Sequence, residues 1–492
     1  MITFDEKTGI FHLKNAYTSY VLQLVRNKYL LHRYWGRPLR EFRDSTPFQA
    51  IDRAFSPQPA AWSNERTFSL DVLPQEYPSY GHGDYRMPAY AVRLSNGTTV
   101  TELAYSSYEI KAGKPALRGL PAAYAGENEA ETLIITLTDT KGVLTVKLSY
   151  TIFADQPVIA RSVHVINTGS QSADLLSAAS FAIDFADHDF DRLSLYGGHA
   201  AERSLERVSL MHGIQETASR RGASSHQQSP FLALARKDAT ESKGDVYGFS
   251  LVWSGEFSFR TEVEQFGTTR VIGGINPAEF CWHLKAGESF QTPEALLVYS
   301  SDGLNGMSQV FHHIVREHIV RGRHQHALRP ILVNNWEATY FDFDDEKIDK
   351  LADCAADLGI ELLVLDDGWF GHRNDDNSSL GDWVINRQKL KKGLNGVADS
   401  AHRRGLKFGL WFEPEMVSED SELYRVHPDW TLHVPDYPSS YSRHQLVLDL
   451  SREEVRDYIV TSVSKVLQAA PVDYVKWDFN RHLSEAFSAA LP

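Results

Sequence analysis

The sequence predicts two domains in tandem: a large N-terminal antiparallel β-sandwich over residues 1–325, then the first half of a (β/α)8 TIM-type barrel, strands 1–4, over residues 326–492. Three observations carry this reading. The 492 residues are more than one small core can organise. Up to about residue 325, short runs alternate apolar and polar residues between turn signals. Beyond it, short apolar runs alternate with stretches of helical spacing.

The β grammar is clearest at 143–150. There Leu144, Val146, Leu148 and Tyr150 alternate with mostly polar neighbours, the period of a half-buried strand. Asp139-Thr140-Lys141-Gly142 supplies the turn before it, and Asn167-Thr168-Gly169 ends the next run at 161–166. Similar runs recur at 132–138, 246–252 and 295–299, and many short strands joined by turns make a sandwich.

The second grammar opens with a strand at 330–335 and a helical stretch bearing Ile348, Leu351, Ala355 and Leu358. A strand at 361–365 follows, then helical Leu394, Val397 and Ala401, then a strand at 407–412. Ser451-Arg452-Glu453-Glu454 reads as a capping box opening a helix with Val455, Ile459, Val463 and Val466 on one face. A last strand covers 472–477. Such alternation means parallel βα units. A doubly wound sheet would confine its ligand to one switch point. Here all four strands end in polar or aromatic groups, which favours the barrel. A whole barrel takes about 250 residues, so the segment from 330 accommodates strands one to four.

Composition narrows the function. No run of about 18 apolar residues exists to span a membrane, and Met1-Ile2-Thr3-Phe4-Asp5-Glu6 lacks the start of a signal peptide. The two cysteines, Cys281 and Cys354, stand far apart in apolar contexts, which excludes a disulfide framework and fits a reduced cytoplasm. A net charge of −14 without a basic stripe argues against nucleic acid. Aromatics are 11% of residues, with 10 Trp and 21 Tyr, as suits a large core or a sugar site.

The strand ends gather carboxylates: Asp366, Asp367, Glu413, Glu415 and Asp478. Singly, each is most simply a helix cap or a surface acid. Together they either bind a cation or perform acid, base and nucleophile chemistry on a neutral substrate. No metal-ligand spacing appears, and His312, His313 and His318 read as ordinary partly buried histidines, so no metal or cofactor is expected. Trp336, Trp369, Trp411 and Trp477 accompany the acids, and indoles beside carboxylates suit a sugar. Lys476 lies two residues before Asp478, on the same strand face, where an ammonium supports an ionised nucleophile. Asn480 is placed to donate to a sugar hydroxyl.

These stretches resemble the α-galactosidases of glycoside hydrolase family 36, which forms a clan with family 27. The resemblance rests on Asn334-Asn335-Trp336-Glu337-Ala338, Leu365-Asp366-Asp367-Gly368-Trp369-Phe370 and Gly409-Leu410-Trp411-Phe412-Glu413-Pro414-Glu415-Met416. It continues through Arg443 before Gln445-Leu446-Val447-Leu448-Asp449, and Lys476-Trp477-Asp478-Phe479-Asn480-Arg481. In the sandwich, Asp52-Arg53-Ala54-Phe55-Ser56-Pro57 and Arg220-Arg221-Gly222-Ala223-Ser224-Ser225-His226 look similar too. The resemblance implies retaining hydrolysis of terminal α-linked galactose from sugars such as raffinose and melibiose. By similarity Asp478 is the nucleophile, and Asp366 and Asp367 hold galactose hydroxyls with Lys476, Asn480 and Trp411. Arg443 also lies at the sugar site. Members are often homo-tetramers in which a sandwich loop, here carrying Asp52, reaches another subunit's pocket. His199 stands where relatives often carry Trp.

The family's acid/base Asp lies on a later barrel strand, and no residue here matches it; Glu415 and Asp367 occupy other family positions. Strands five to eight and the family's C-terminal β domain are likewise unmatched. The chain is therefore expected to be a C-terminally truncated enzyme, with open sheet edges that favour aggregation. A non-catalytic α-galactoside-binding protein and a transgalactosylating relative are the alternatives.

Overall fold

The chain divides into units Met1–His326 and Ala327–Pro492, each with a large apolar core of its own. A computed structural model describes residues 1–43, 47, 48, 50–52 and 56–491. Arg53, Ala54 and Phe55 of the sandwich motif therefore lie outside the described residues.

In the first unit, strands Ile2–Asp5, Ile10–Lys14, Ser19–Val25 and Tyr29–Gly36 pair in sequence order as an antiparallel sheet. A six-stranded and a ten-stranded sheet complete the sandwich. Their inner faces share one core, to which Leu22, Leu148, Val163, Phe181, Leu234 and Phe259 contribute. The alternation at 143–150 forms strand Leu144–Phe153, with Leu144, Val146, Leu148 and Tyr150 all buried. Helix Gly303–His318 covers the outer face of the ten-stranded sheet through Met307 and Ile314.

Buried charge anchors the 70–87 segment to this sandwich. Glu76 accepts from Arg161 Nη1 at 3.1 Å, Tyr20 Oη at 2.8 Å and Tyr150 Oη at 3.0 Å, and pairs with His32. Arg86 and Arg270 together hold Asp84 and Asp184. Such groups persist in an apolar interior only because each is paired.

The second unit is a parallel sheet. Strand β1 (Leu332–Asn334) is followed by helix α1 (Asp345–Asp357), β2 (Leu362–Leu365), α2 (Gly393–Arg403), β3 (Lys407–Phe412), α3 (Glu453–Ala469) and β4 (Tyr474–Trp477). The strands lie in the order β1-β2-β3-β4, all parallel, as the first four strands of a barrel do. Strand β2 is buried throughout, as expected when helices cover a parallel sheet. Helix α1 starts at Asp344, whose side chain accepts from Lys347 N. It ends at Gly359, whose φ of +75° lets Ile360 N reach back to Ala355 O. Gly405 ends α2 in the same way.

Several expectations need correction. Ser451 does not cap α3: its hydroxyl donates to Asp449 Oδ1 at 2.6 Å, and the N-cap residue is Arg452. The nearby carboxylate outcompetes the helix amides for that hydroxyl. The buried stripe of α1 is Ile348, Ala352 and Ala355, while Leu358 lies past the helix end and is 80% exposed. Cys281 and Cys354 are exposed free thiols. His318 donates through Nδ1–H to Tyr124 O and packs on Phe153, and among the described residues no His, Cys, Asp and Glu group fits a metal ion. Among the described residues, too, no helix is long and apolar enough to cross a membrane.

The Glu76 network sets a clear expectation for stability. Glu76→Ala strands the Arg161 guanidinium in the core and lowers the unfolding free energy of the first unit by about 3–5 kcal/mol, measured by urea denaturation with intrinsic fluorescence.

Candidate active site

The C-terminal ends of β2, β3 and β4 converge because the strands are parallel and in register: Leu365 pairs with Leu410, and Trp411 with Lys476. In a barrel, alternate strands place side chains in one layer. Asp366 follows β2, and Lys476 stands on β4, with β3 between them. Lys476 Nζ spans that strand to donate to Asp366 Oδ2 at 2.8 Å, and stands 4.0 Å from Asp478 Oδ2. Asp366 is buried and fully oriented. It accepts a short hydrogen bond from Asn334 Nδ2 at the end of β1, and its Oδ1 accepts from Asp367 N at 2.8 Å. Its own N–H donates to Asn335 Oδ1 at 2.7 Å.

Asp478 is the most exposed acid of the inner cluster, with 27% of its side chain accessible. Trp411 Nε1 donates to its Oδ2 at 2.9 Å and Asn480 Nδ2 donates to the same oxygen at 2.7 Å. Oδ1 accepts from Phe479 N at 3.1 Å. The carboxylate thus meets only donors, and they hold it in one orientation.

Behind it lies Glu413, only 1% exposed. It accepts from Asn480 N at 2.6 Å and Gln445 Nε2 at 3.3 Å. Burial is the main force pushing its carboxyl up to about 7; Asp478 adds to the shift, while the Asn480 donors and Arg443 oppose it. Glu415 is also pushed up by burial, with Trp477 Nε1 donating to it at 2.8 Å.

Two further candidates are enclosed by their neighbours. Asp367 is buried, and its two oxygens accept from Arg373 at 2.7 and 2.8 Å. Burial pushes its carboxyl up, and the guanidinium pulls the other way. Trp411 is 1% exposed: its ring packs beside Phe370 and Trp383, and only its N–H reaches the site. Trp369 is likewise core, donating to Trp411 O. Trp477 is 53% exposed, and half-buried Trp336 stands edge-on to Tyr340 and Phe341. Arg443 is exposed on the turn Ser442–Gln445, where Arg443 and His444 both adopt left-handed φ values of 53° and 58°. Non-glycine residues in that region are strained. Asp52 belongs to the first unit and pairs with Arg66 at 2.9 Å. His199 is exposed in the loop after strand Phe190–Tyr196.

Sequence reasoning missed Arg373, Gln445 and the roles of Asn334 and Asn335. The paired amides at the end of β1 were a usable signal, since a buried side-chain amide such as that of Asn335 is rarely left without a partner.

Comparison with known proteins bears on this arrangement. Residues 28–285 match the glycosyl hydrolase family 36 N-terminal domain, and residues 289–492 match the family described as Melibiase. The chain belongs to glycoside hydrolase family 36. It is 55% identical to alpha-galactosidase AgaA of Geobacillus stearothermophilus, a match spanning all of this chain and 67% of that protein. It is 48% identical to alpha-galactosidase 1 of Pediococcus pentosaceus, again over 100% and 67%. The crystal structure of GH36 alpha-galactosidase AgaB from G. stearothermophilus superposes with a TM-score of 0.97 at 54% identity, covering 100% of this chain and 67% of that one. A variant of AgaA crystallised with raffinose superposes at 0.96, with 56% identity, over 98% and 67%. The family 36 chain described here thus spans about two thirds of the length of these relatives.

The raised Glu413 carboxyl predicts a pH signature. The folded group loses its proton near pH 7, whereas the ordinary value is 4.5. Between these values the folded state binds the extra proton, so stability falls as pH rises through the window and levels off above it. Glu413→Gln lacks this loss: its stability relative to wild type rises between about pH 5 and pH 8, by at most about 3 kcal/mol, read from denaturation curves at the two pH values.

Proposed function

We propose that this chain carries the galactose-binding and nucleophile part of a retaining α-galactosidase site, for terminal α-D-galactosyl residues of raffinose- and melibiose-type oligosaccharides. One observation carries the reading: a partly exposed Asp478 carboxylate oriented by Trp411 and Asn480, with the Lys476–Asp366 pair beside it. An Asp oxygen attacks the anomeric carbon, the aglycone leaves, and water later releases galactose. Oδ1, with one hydrogen bond, is the freer oxygen.

Lys476 has donors beyond the one given to Asp366, and with Asp366 it reads the galactose hydroxyls. Trp336 and Trp477 offer apolar faces to the sugar, Arg443 lines the rim, and Asp367 and Trp411 belong with Asp366 to the group that binds the galactose. Retaining chemistry also uses a second carboxyl about 5–5.5 Å from the nucleophile, and this reading assigns that role to no residue of the cluster. A cytoplasmic location is supported by the exposed Cys281 and Cys354 thiols. A homo-tetramer, with Asp52 reaching another subunit's pocket, belongs to the same reading.

The test is a stopped-flow assay with dinitrophenyl α-galactoside, whose leaving group departs without protonation. Wild type gives a burst near one equivalent, Asp478→Ala gives none, and Lys476→Met slows it by about 100-fold. A wild-type chain without a burst refutes the reading for this chain.

A further inference from the structure

Two adjacent amides at the end of β1 tie Asp366 to the helical turn Trp336–Thr339. Asn334 is the last residue of β1. Its Nδ2 donates a short hydrogen bond to Asp366 Oδ2, and its Oδ1 accepts from Trp336 N at 2.8 Å, an Asx turn. Asn335 is fully buried; its Oδ1 accepts from Asp366 N at 2.7 Å, and its Nδ2 donates to Thr339 Oγ1 at 2.8 Å. Asn334 thus joins the Asp366 carboxylate to the start of the turn. Asn335 joins the Asp366 main chain to its end.

A carboxylate offers about four lone-pair sites, two on each oxygen. Among the described residues, three of those on Asp366 are taken. Oδ2 receives the Asn334 amide and, at 2.8 Å, Lys476 Nζ; Oδ1 receives Asp367 N at 2.8 Å. The place left is on Oδ1. Without the Asn334 amide, Oδ2 keeps only the lysine, and each oxygen then has a free lone pair. The Trp336 indole is fixed as well, standing edge-on to Tyr340 and Phe341 at interplanar angles of 85° and 90°.

We propose that Asn334 is a positioning residue for galactose recognition: its amide makes Oδ1 the Asp366 oxygen that accepts a galactose hydroxyl, and it holds the Trp336 turn at a fixed spacing from that oxygen. The inference rests on the reading of Asp366 and Trp336 as galactose contacts. The two grip one sugar, a hydroxyl donating to Oδ1 while the indole covers CH groups. Spacing set before binding removes a cost of ordering them on binding. The neighbouring charges come from β2 and β4. Asp366 is in contact, Lys476 shares its Oδ2 and stands 4.0 Å from Asp478, and Asp367 is paired with Arg373. An amide donates into this set without adding charge, and does so at any pH. A carboxyl in its place donates only when protonated, and when ionised it repels Asp366.

The test is the affinity of the whole chain for galactose, measured by titration calorimetry at about pH 5 and about pH 8, each variant being compared with wild type at the same pH. Asn334→Ala binds about tenfold more weakly at both, having lost a hydrogen bond to a charged group. Asn334→Asp binds at least about tenfold more weakly at the upper pH. At the lower pH it returns to within about threefold of wild type, because the two carboxyls share a proton that restores the donor. An Asn334→Ala chain that binds as wild type does overturns the inference. So does an Asn334→Asp deficit that is the same at both pH values, since a purely structural role lowers the melting temperature and shows no recovery on protonation. Where Asn334→Asp does not fold, the Asn334→Ala comparison decides. These outcomes, with a wild type that binds galactose, overturn this inference alone. A wild type that binds no galactose refutes the reading of Asp366 on which it rests, and the inference with it.

Discussion

The ion pair between Lys476 and Asp366 is the constraint on which the site depends. It joins residues of β2 and β4 across an intervening strand, so it forms only if three parallel strands share one register. Side chains alternate along a strand, and a one-residue slip of β4 would turn Lys476 and Asp478 away from the cluster and bring Trp477 inward. That register is held by packing. Leu363, Leu365, Phe408, Leu410 and Phe412 are all buried in the core between the sheet and its helices. Apolar contacts set the register, and the register places the charges.

The two units handle buried charge differently. In the sandwich, Glu76, Asp84 and Asp184 are enclosed by arginines and hydroxyls. Such closed networks hold loops in place and have no capacity left for a ligand. Around Asp478 the arrangement is open. The donors orient the carboxylate but leave it partly accessible, and the ammonium of Lys476 is about one-third exposed. Asp367 with Arg373 belongs to the closed type although its sequence neighbour Asp366 sits in the open cluster. Adjacent carboxylates at one strand end, both buried, thus take different partners, Asp366 a lysine and Asp367 an arginine.

This division explains what the sequence made legible. Strands and helices were readable because burial enforces periodicity: Val455, Ile459, Val463 and Val466 line the buried face of α3 as their spacing requires. The convergence of Asp366, Lys476 and Asp478 followed from strand ends and same-face spacing. What sequence could not show were choices among competing short-range partners. Ser451 is taken by Asp449 instead of the helix amides, and Asp367 by an arginine six residues away. Trp411 is nearly enclosed beside Phe370 and Trp383 and gives its N–H to Asp478. Each outcome depends on distances within a few ångströms, which pattern does not encode.

Glu413 and Asp478 show how the same strand ends produce unlike acids. Glu413 is walled in beneath the strand ends, where burial outweighs its two hydrogen bonds and favours the neutral form. Asp478 stands at the surface of the cluster, facing N–H donors and an ammonium. Both are held by Asn480, Glu413 through the main-chain N–H and Asp478 through the side-chain amide, so a single residue at the end of β4 fixes the spacing between the enclosed acid and the presented one.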